Sequence, residues 1–497
     1  MNIAIEILNE PELEFGRGLR AVDPKTALSK AGPFLCATSG DLPTIPLGLI
    51  APHHEAKSIK RWFERMQRLL LSNESNSLRY SRFPGLGQAF GVKYSIEPRS
   101  IVTLDARRLG LAMAEPSPSA RFDALLEVYI EAVASLCGDT APKAILVFFP
   151  EEVADLRVQN KLLSDDERRV LQRITKQEND PQMHLFDQGE AKEKITDLLP
   201  QATELLERQF HRAFKARVMS LRNAVPTQVL RRHTFHDGEA TQSAATRAWN
   251  LSVALYYKTG NVPWRPASLD DRSCFAGISF HHLKTRGGSL VYSSVAHAFS
   301  NNLEPFILRG TPVPQQQTRD KQPYLLPDQA ETIMDRLIKG YAARAGTNPS
   351  RIVIHKTSKF QPEEAQGFNR AAAGRVPQVS LVSLRPTGFR LLRRGSQEPL
   401  RGTLCRVEGD HTFLFTTGFV KWWDEYPGPH IPAPIEIVGD DLSDRAHEIL
   451  TLCKMNWNSA DGLGRFPITL SFSSRVGKIM TELSEDAEPN PSYRFYM

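Results

Sequence analysis

The sequence predicts an α/β fold, because short apolar segments of strand length alternate with helical segments along most of its 497 residues. IPLGLIA (45–51) and KAILVFFP (143–150) are typical of buried strands. An amphipathic pattern from about 55 to 71 and the segment 121–136 indicate helices. This alternation favours a small parallel sheet covered by helices.

The alternation continues toward the C-terminus. A helix from about 201 to 222, a strand over 226–233 and a helix ending near Gly260 extend the first sheet. From about residue 270, several strands are followed by interleaved helices, which fits a three-layer domain with a mixed sheet. The strands predicted there are 274–281, 289–295, 351–356, 378–384, 402–406 and 412–417, and the helices are 327–345, 361–373, 442–455 and 474–483.

We therefore divide the chain into a lead-in segment (1–95), an α/β domain (96–265) and a mixed α/β domain (266–497). Residues from about 155 to 200 are highly charged and contain several helix formers. We expect a helical insertion on the surface there, which is either a solvated appendage or a partner surface.

Composition excludes several classes of protein. Hydrophobic residues make up 41% and charged residues 24%, as in ordinary globular proteins. No apolar run is long enough to span a bilayer and the N-terminus lacks a signal-peptide pattern, so we expect a cytoplasmic protein. The five cysteines form no CxxC pair, which argues against a zinc ribbon or a disulfide framework.

Positive charge is concentrated in one segment. The net charge is only +6, yet residues 208–232 include seven Lys or Arg residues and no Asp or Glu. His211 and Lys215 project from one face of a predicted helix, Gln228 lies on the next strand, and Lys258 ends the following helix. If that strand lies beside the helices, the four side chains converge and suit a terminal phosphate. The alternative is a helix face that is simply solvated.

The residues around this constellation resemble a known family. HRAFK (211–215), VPTQV (225–229) and YYKTGNVPW (256–264) are similar to the 5′-end pocket of Argonaute MID domains, in the version with His in place of the more common Tyr. Further motifs occur in the family's order: PELEFG (11–16), FPGLGQAF (83–90), EYPGPHIPAPIEIV (425–438) and the segment 450–479.

This resemblance covers nearly the whole chain. It implies a Rossmann-like MID domain over 96–265 and an RNase H-like PIWI domain over 266–497, behind the lead-in segment. The start motif lies within the first thirty residues, which leaves no space before it for the N and PAZ domains of long Argonautes. The resemblance is therefore to the short prokaryotic type.

The resemblance also assigns roles to residues. His211, Lys215, Gln228 and Lys258 would bind the 5′ phosphate of a guide strand, and His211 could also stack on the adjacent base. A divalent cation held by the C-terminal carboxylate often assists in this family, so the carboxylate of Met497 is a candidate ligand for Mg²⁺. The alternative for the aromatic C-terminus is simple packing.

The same resemblance predicts that the protein is not an enzyme. PIWI nucleases cut with two divalent cations held by clustered carboxylates. The matching positions here are Ser279, Thr357 and Asn456, whose neutral side chains cannot hold two cations or deprotonate a water. Glu304 and Glu331 lie in the intervening region, but neither is assigned as the family's mobile Glu.

Two alternatives remain open at this level. In a shifted alignment, Asp270 or Asp271 would be metal ligands and the protein an active guided endonuclease. Otherwise, it could be a standalone nucleic-acid-binding regulator.

The expected partners are a guide RNA, a target DNA and a further protein. Inactive short Argonautes typically act with a protein that carries an APAZ-like region and an effector, such as an NADase or a nuclease. We therefore expect a role in prokaryotic defence against plasmids or phages.

Overall fold

The computed structural model describes residues 3–35, 42–138, 141–159, 207–238, 242–284, 290–300, 303–314, 317–319, 322–395, 398–407, 411–428, 431–483 and 490–497. The predicted charged insertion over 155–200 lies almost wholly outside these residues.

The described residues form strands and helices in alternation. The strands are β1 (Ile3–Ile7), β2 (Leu13–Glu14), β3 (Arg20–Ala21), β4 (Thr44–Ala51), β5 (Lys93–Ser95), β6 (Ile101–Thr103), β7 (Ala144–Phe148), β8 (Arg157–Gln159), β9 (Glu207–Gln209), β10 (Thr227–Leu230), β11 (Arg265–Pro266), β12 (Ser273–Lys284), β13 (Leu290–Ser300), β14 (Leu303–Pro314), β15 (Thr318–Arg319), β16 (Gln322–Pro323), β17 (Arg351–Lys356), β18 (Gln378–Pro386), β19 (Thr403–Val407), β20 (His411–Leu414) and β21 (Ile435–Val438). The helices are α1 (Pro24–Ala31), α2 (His53–Met66), α3 (Leu86–Phe90), α4 (Ala106–Met113), α5 (Pro118–Ala134), α6 (Glu151–Ala154), α7 (Phe210–Met219), α8 (Arg232–Phe235), α9 (Ala244–Lys258), α10 (Pro327–Ala345), α11 (Pro362–Ala372), α12 (Leu442–Leu452) and α13 (Ile468–Met480).

The first sheet is parallel, as the sequence predicts. Its order is β10-β7-β4-β5, and β6 also pairs with β4. Alternate residues of β7 enter two different cores: Leu146 and Phe148 pack on the side of α2 and α9, whereas Ile145 and Val147 pack on the side of α5 and α7. Burial on both faces explains why this strand reads as a continuous apolar run.

The predicted lead-in segment (1–95) packs on the rest of the chain through its strands. β4 lies at the centre of the parallel sheet and pairs with β7, although the sequence division places β4 in the lead-in segment. β1, in contrast, pairs with β19 in the second sheet. The lead-in segment therefore contributes strands to both sheets.

The second sheet has nine strands in the order β1-β19-β20-β21-β18-β17-β12-β13-β14. β12, β17 and β18 are mutually parallel, and the other pairs are antiparallel. α10 and α11 cover one face at its centre, while α13 packs on β12 from the other. The predicted three-layer arrangement with a mixed sheet is confirmed.

Several element boundaries differ from those predicted. α13 begins at Ile468, directly after Pro467, whereas the sequence pattern places its start at 474. Serine and threonine at 469, 471, 473 and 474 are weak helix formers, so tertiary packing sets this start. β1, β14 and β21 were not predicted at all. Among the described residues, no helix combines the length and apolar character needed to cross a membrane.

Candidate anion-binding site

A cavity of about 660 Å³ lies between α7, β10 and α9 on one side and α13 with the C-terminal residues on the other. We call it the phosphate cavity. All four residues of the predicted constellation line it: His211, Lys215, Gln228 and Lys258. The structure therefore brings together side chains that are up to 47 positions apart in the sequence.

Packing of α7 sets the orientation of its cationic side chains. Phe210 and Phe214 lie on the adjoining face of this helix and pack against Phe149, with ring centroids 5.3 and 5.1 Å apart. This contact directs the His211 and Lys215 face toward the cavity.

Two buried ammonium groups share one backbone oxygen. Lys215 Nζ donates to the Thr227 carbonyl oxygen at 2.6 Å, and Lys258 Nζ donates to the same oxygen at 3.0 Å. Lys258 Nζ also donates to Gln228 Oε1 at 2.7 Å. Each lysine is only 2% exposed, and within the described ranges neither pairs with a carboxylate.

Burial of these groups without a counter-ion shifts their pKa values. Burial, aided by the charge of Arg475, lowers the pKa of Lys215 to about 7. Burial and the nearby Lys215 and Arg475 charges place the pKa of Lys258 well below its ordinary value. An anion in the cavity would reverse both shifts, because it stabilises the charged forms.

His211 is neutral in this environment. Its side chain is exposed on the wall of the cavity and lies close to the Lys215 and Lys258 charges. Burial, followed by the charges of Lys215 and Lys258, lowers the pKa of His211 to about 3. The imidazole can therefore stack or hydrogen-bond, but it does not add charge near neutral pH.

Sequence reasoning missed the part of the cavity that comes from α13. Arg475 and Lys478 on α13 line it, although they lie more than 200 positions after Lys258. Asn458, in the loop after α12, lines it as well. Arg212 and Arg231 line it as well, and Arg231 is held by Glu151 at 3.2 Å and Asp155 at 2.9 Å. No local sequence pattern connects these segments; only the packing of α13 beside α7 does.

The C-terminus also reaches the phosphate cavity. Tyr496 and Met497 line it, while Tyr493 packs against Phe472 at a centroid distance of 4.0 Å. The aromatic C-terminal segment therefore both packs against other residues and lines the cavity. The Met497 carboxylate is the single carboxylate among the described lining residues, whereas Mg²⁺ takes about six oxygen ligands. These residues fit Mg²⁺ only if a bound phosphate supplies further oxygens.

Two of the three predicted degenerate catalytic positions are neighbours. β12 and β17 are parallel, with Gly277 opposite His355 and Ile278 opposite Lys356. Ser279 and Thr357 each follow by one residue, so they lie side by side where β17 ends. Ser279 Oγ is buried without a hydrogen-bond partner among the described residues, and Thr357 is exposed.

The helix that covers this point is α13. A Cβ atom on Gly277 would lie 2.2 Å from the Thr469 carbonyl oxygen, and one on Gly477 would lie 2.7 Å from the His281 ring. Ser473 lies midway between these two contacts on the helix and is fully buried. Asn456 lies elsewhere, in the loop after α12, where its side-chain oxygen accepts from the Asn458 backbone at 3.2 Å.

Acidic residues named from the sequence lie away from Ser279. Asp270 accepts from Ser273 Oγ at 2.9 Å at the start of β12, about 20 Å along the extended strand from Ser279. Glu304 pairs with Arg494 at 3.1 Å, and Glu331 pairs with Arg370. The described residues contain no cluster of three or more His, Cys, Asp or Glu able to hold a metal ion.

We predict that Lys215→Met stabilises the unbound protein, most strongly below about pH 7. Below this pH, Lys215 is charged in both the folded and the unfolded protein, and burial of the charge destabilises the folded state. This destabilisation decreases as the pH rises from about 7 toward 10.5, the ordinary pKa of lysine. Each pKa unit corresponds to about 1.4 kcal/mol. Denaturation at about pH 6 and about pH 10 tests this.

Arg217→Met is the matched control, because Arg217 lies on the same helix but is exposed and pairs with Glu127 at 2.7 Å. Its effect should stay within about 0.5 kcal/mol at either pH. Equal destabilisation by Lys215→Met at both pH values would contradict the assignment of an uncompensated charge.

Comparisons with known proteins address the fold. No protein-family model and no curated protein sequence matches the chain. Solved structures do: Clostridium butyricum Argonaute, bound to a guide DNA and a 19-mer target DNA, matches with a TM-score of 0.59 and 14% identity over 97% of this chain and 54% of that one.

Two further structures agree. Drosophila Piwi matches with a TM-score of 0.59 and 14% identity over 99% of this chain and 56% of that one. A. aeolicus Argonaute matches with a TM-score of 0.54 and 14% identity over 99% of this chain and 55% of that one. The chain spans about half the length of the structures it matches. Over nearly all of its own length, it has the fold of Argonaute and Piwi proteins.

Proposed function

We propose that this protein holds the 5′-phosphorylated end of a guide strand in the phosphate cavity and recognises complementary nucleic acid without cutting it. One observation carries the proposal: Lys215 and Lys258 are buried, share the Thr227 carbonyl oxygen, and have no carboxylate partner among the described residues. Buried charges are ordinarily paired, so this arrangement is complete only with an anion.

A terminal phosphate fits this arrangement chemically. Lys215 and Lys258 donate charge-assisted hydrogen bonds to it, and Gln228 fixes its orientation through its amide. Neutral His211 is available to stack on the first base. Mg²⁺ belongs to the proposal as a shared ligand of the phosphate and the Met497 carboxylate, where it would offset negative charge between them.

The remainder of the guide would leave the cavity past Arg475 and Lys478 on α13. Contacts of this type follow the backbone, so base pairing carries the sequence information. We propose RNA as the guide and DNA as the target, and we expect affinity to fall with salt because phosphate contacts release counterions.

Absence of cleavage is the second part of the proposal. Ser279 in β12 and Thr357 directly after β17 lie side by side, and both carry hydroxyl groups. Hydroxyls do not neutralise two divalent cations. Asp270, the alternative metal ligand, accepts hydrogen bonds from Ser273 and Ser350 where β12 and β17 begin.

A protein that senses without cutting needs an effector, and we propose an APAZ-containing partner that serves in defence against plasmids or phages. One exposed surface supports a partner. β1 is an edge strand of the nine-stranded sheet, and Ile3, Ile5 and Ile7 on one of its faces are each about half exposed. Glu6, on the other face, pairs with Arg406 at 3.2 Å. An apolar edge strand of this kind is suited to strand addition by a partner.

Removal of either lysine should weaken binding of 5′-phosphorylated guides. We expect Lys258→Met to lower affinity about 10- to 100-fold, because a charge-assisted hydrogen bond is lost, and Lys215→Glu to abolish retention by repulsion. Filter binding with 5′-phosphorylated and 5′-hydroxyl oligonucleotides of one sequence measures both effects.

The control for this experiment is again Arg217→Met on the outer face of α7, which should bind like the parent protein. The preference for the phosphorylated end should disappear in the lysine variants. Undiminished binding by Lys215→Glu would place the guide's 5′ end elsewhere.

Incubation of protein, guide and matched target with Mg²⁺ or Mn²⁺ should leave the target intact. The physical reason is that the part of the chain described by the structure places no cluster of carboxylates at Ser279 and Thr357. Gel electrophoresis of labelled target is the measurement, with a mismatched target as the control. Site-specific cleavage dependent on the guide would instead support a guided endonuclease with unusual ligands.

Ile5→Lys should disrupt assembly with the effector partner, because it places a charge in the middle of the apolar β1 face. Co-purification of tagged protein from cells that express the neighbouring genes reports the loss. Leu111→Lys is a matched control, since Leu111 on α4 is also exposed, at 65%. If both variants co-purify equally well with the effector partner, β1 does not belong to the interface.

A further inference from the structure

Arg231 is a cation of the phosphate cavity that has carboxylate partners. It lines the cavity, as Lys215 and Lys258 do, but its guanidinium donates to Glu151 Oε2 at 3.2 Å and to Asp155 Oδ1 at 2.9 Å. Neither of these carboxylates lines the cavity. Arg231 therefore lies between the anion-binding site and two acids outside it.

The strand order of the parallel sheet creates this arrangement. Arg231 directly follows β10, whereas Glu151 and Asp155 belong to the segment after β7. These two strands are parallel neighbours, and the Phe149 N–H donates to the Leu230 carbonyl oxygen at 2.9 Å where both end. Because the carboxyl ends of parallel strands meet at one edge of a sheet, the arginine and its acids lie side by side.

The guanidinium is close enough to act inside the cavity. Besides burial, the charges of Lys215, Lys258 and Arg231 lower the pKa of His211. Since charges interact strongly only over short distances in a protein surrounded by salt solution, an anion bound beside His211 also lies within reach of the Arg231 charge.

The ion pairs of Arg231 are exchangeable. The Glu151 and Asp155 side chains are 50% and 66% exposed, and the Arg231 side chain is 34% exposed. Exposed pairs of this kind contribute little stability, because water also solvates the separated charges. Arg232, in contrast, pairs with Glu55, whose side chain is only 2% exposed, and Arg232 does not line the cavity. A phosphate can therefore compete for Arg231.

We propose that Arg231 binds a phosphate of the guide strand, and that Glu151 and Asp155 restrain this contact by competing for the same guanidinium. Such a contact rests on the guide binding proposed above. In the free protein, the two carboxylates offset one of the positive charges near Lys215 and Lys258. When a guide enters, its phosphate replaces a carboxylate as the acceptor of the guanidinium N–H groups, so the two acids lower the affinity.

Glu151→Gln combined with Asp155→Asn should raise the affinity for a 5′-phosphorylated RNA oligonucleotide about two- to fivefold, because no exposed ion pair is then lost on binding. Filter binding at about 0.15 M salt measures the change. Both positions are exposed, so these amide variants should fold like the parent protein.

Glu152→Gln is the matched control for Glu151→Gln. Glu152 is the neighbouring exposed acid on α6, and it is not one of the described partners of Arg231. Its substitution removes the same charge from the same helix, so it measures the general effect of charge on guide binding.

Arg231→Gln separates competition from this general effect. Alone, it should weaken binding about three- to tenfold, as expected for the loss of one charge-assisted contact. In this background, Glu151→Gln with Asp155→Asn should raise the affinity no more than Glu152→Gln does. No gain in the parent protein, or an equal gain in the Arg231→Gln background, overturns the proposal.

The 5′ end of the oligonucleotide shows which phosphate Arg231 contacts. A loss of affinity by Arg231→Gln for the 5′-phosphorylated form alone assigns the contact to the terminal phosphate, and an equal loss for the 5′-hydroxyl form assigns it to a backbone phosphate. Full affinity of Arg231→Gln for both forms overturns the proposal. If Lys258→Met still lowers the affinity in that case, guide binding in the phosphate cavity stands and only the role of Arg231 is refuted.

Discussion

The phosphate cavity depends on two lysine ammonium groups that are buried side by side, with no carboxylate partner among the residues that the structure describes. Lys215 and Lys258 both donate to the Thr227 carbonyl oxygen, and that neutral oxygen cannot offset two like charges. The free protein therefore holds an unfavourable arrangement that an anion would relieve. Groups that destabilise the ligand-free protein are often found at binding sites.

The fold supplies the rigidity that such an arrangement needs. α7 is anchored by Phe210 and Phe214 in one core, and α9 is buried along nearly its whole length in another. Between them, β10 is held by β7 in the parallel sheet. The lysines cannot move apart without disrupting these cores, because well-packed interiors do not deform continuously.

The two sheets carry different parts of the chemistry. The parallel sheet positions the cationic site, whereas the mixed sheet places Ser279 and Thr357 side by side. α13 connects the two, since it lines the phosphate cavity with Arg475 and packs on β12 at Gly277 and His281, on either side of Ser279. A change in the position of α13 would therefore affect both places.

The sequence by itself determined the alternation of strands and helices, the parallel first sheet, and the four residues His211, Lys215, Gln228 and Lys258. These follow from local patterns: apolar runs, a four-residue helical spacing, and the short motifs that resemble Argonaute MID domains. The sequence also indicated hydroxyl side chains at positions 279 and 357, because each lies in or directly after a recognisable strand.

Only the tertiary structure decided the rest. It placed β4 in the parallel sheet despite its position before residue 95, joined α13 to the cavity, and packed α13 on β12 at Gly277 and His281. These features depend on contacts between segments hundreds of residues apart, and such contacts leave no periodicity or spacing in the sequence from which they could be read.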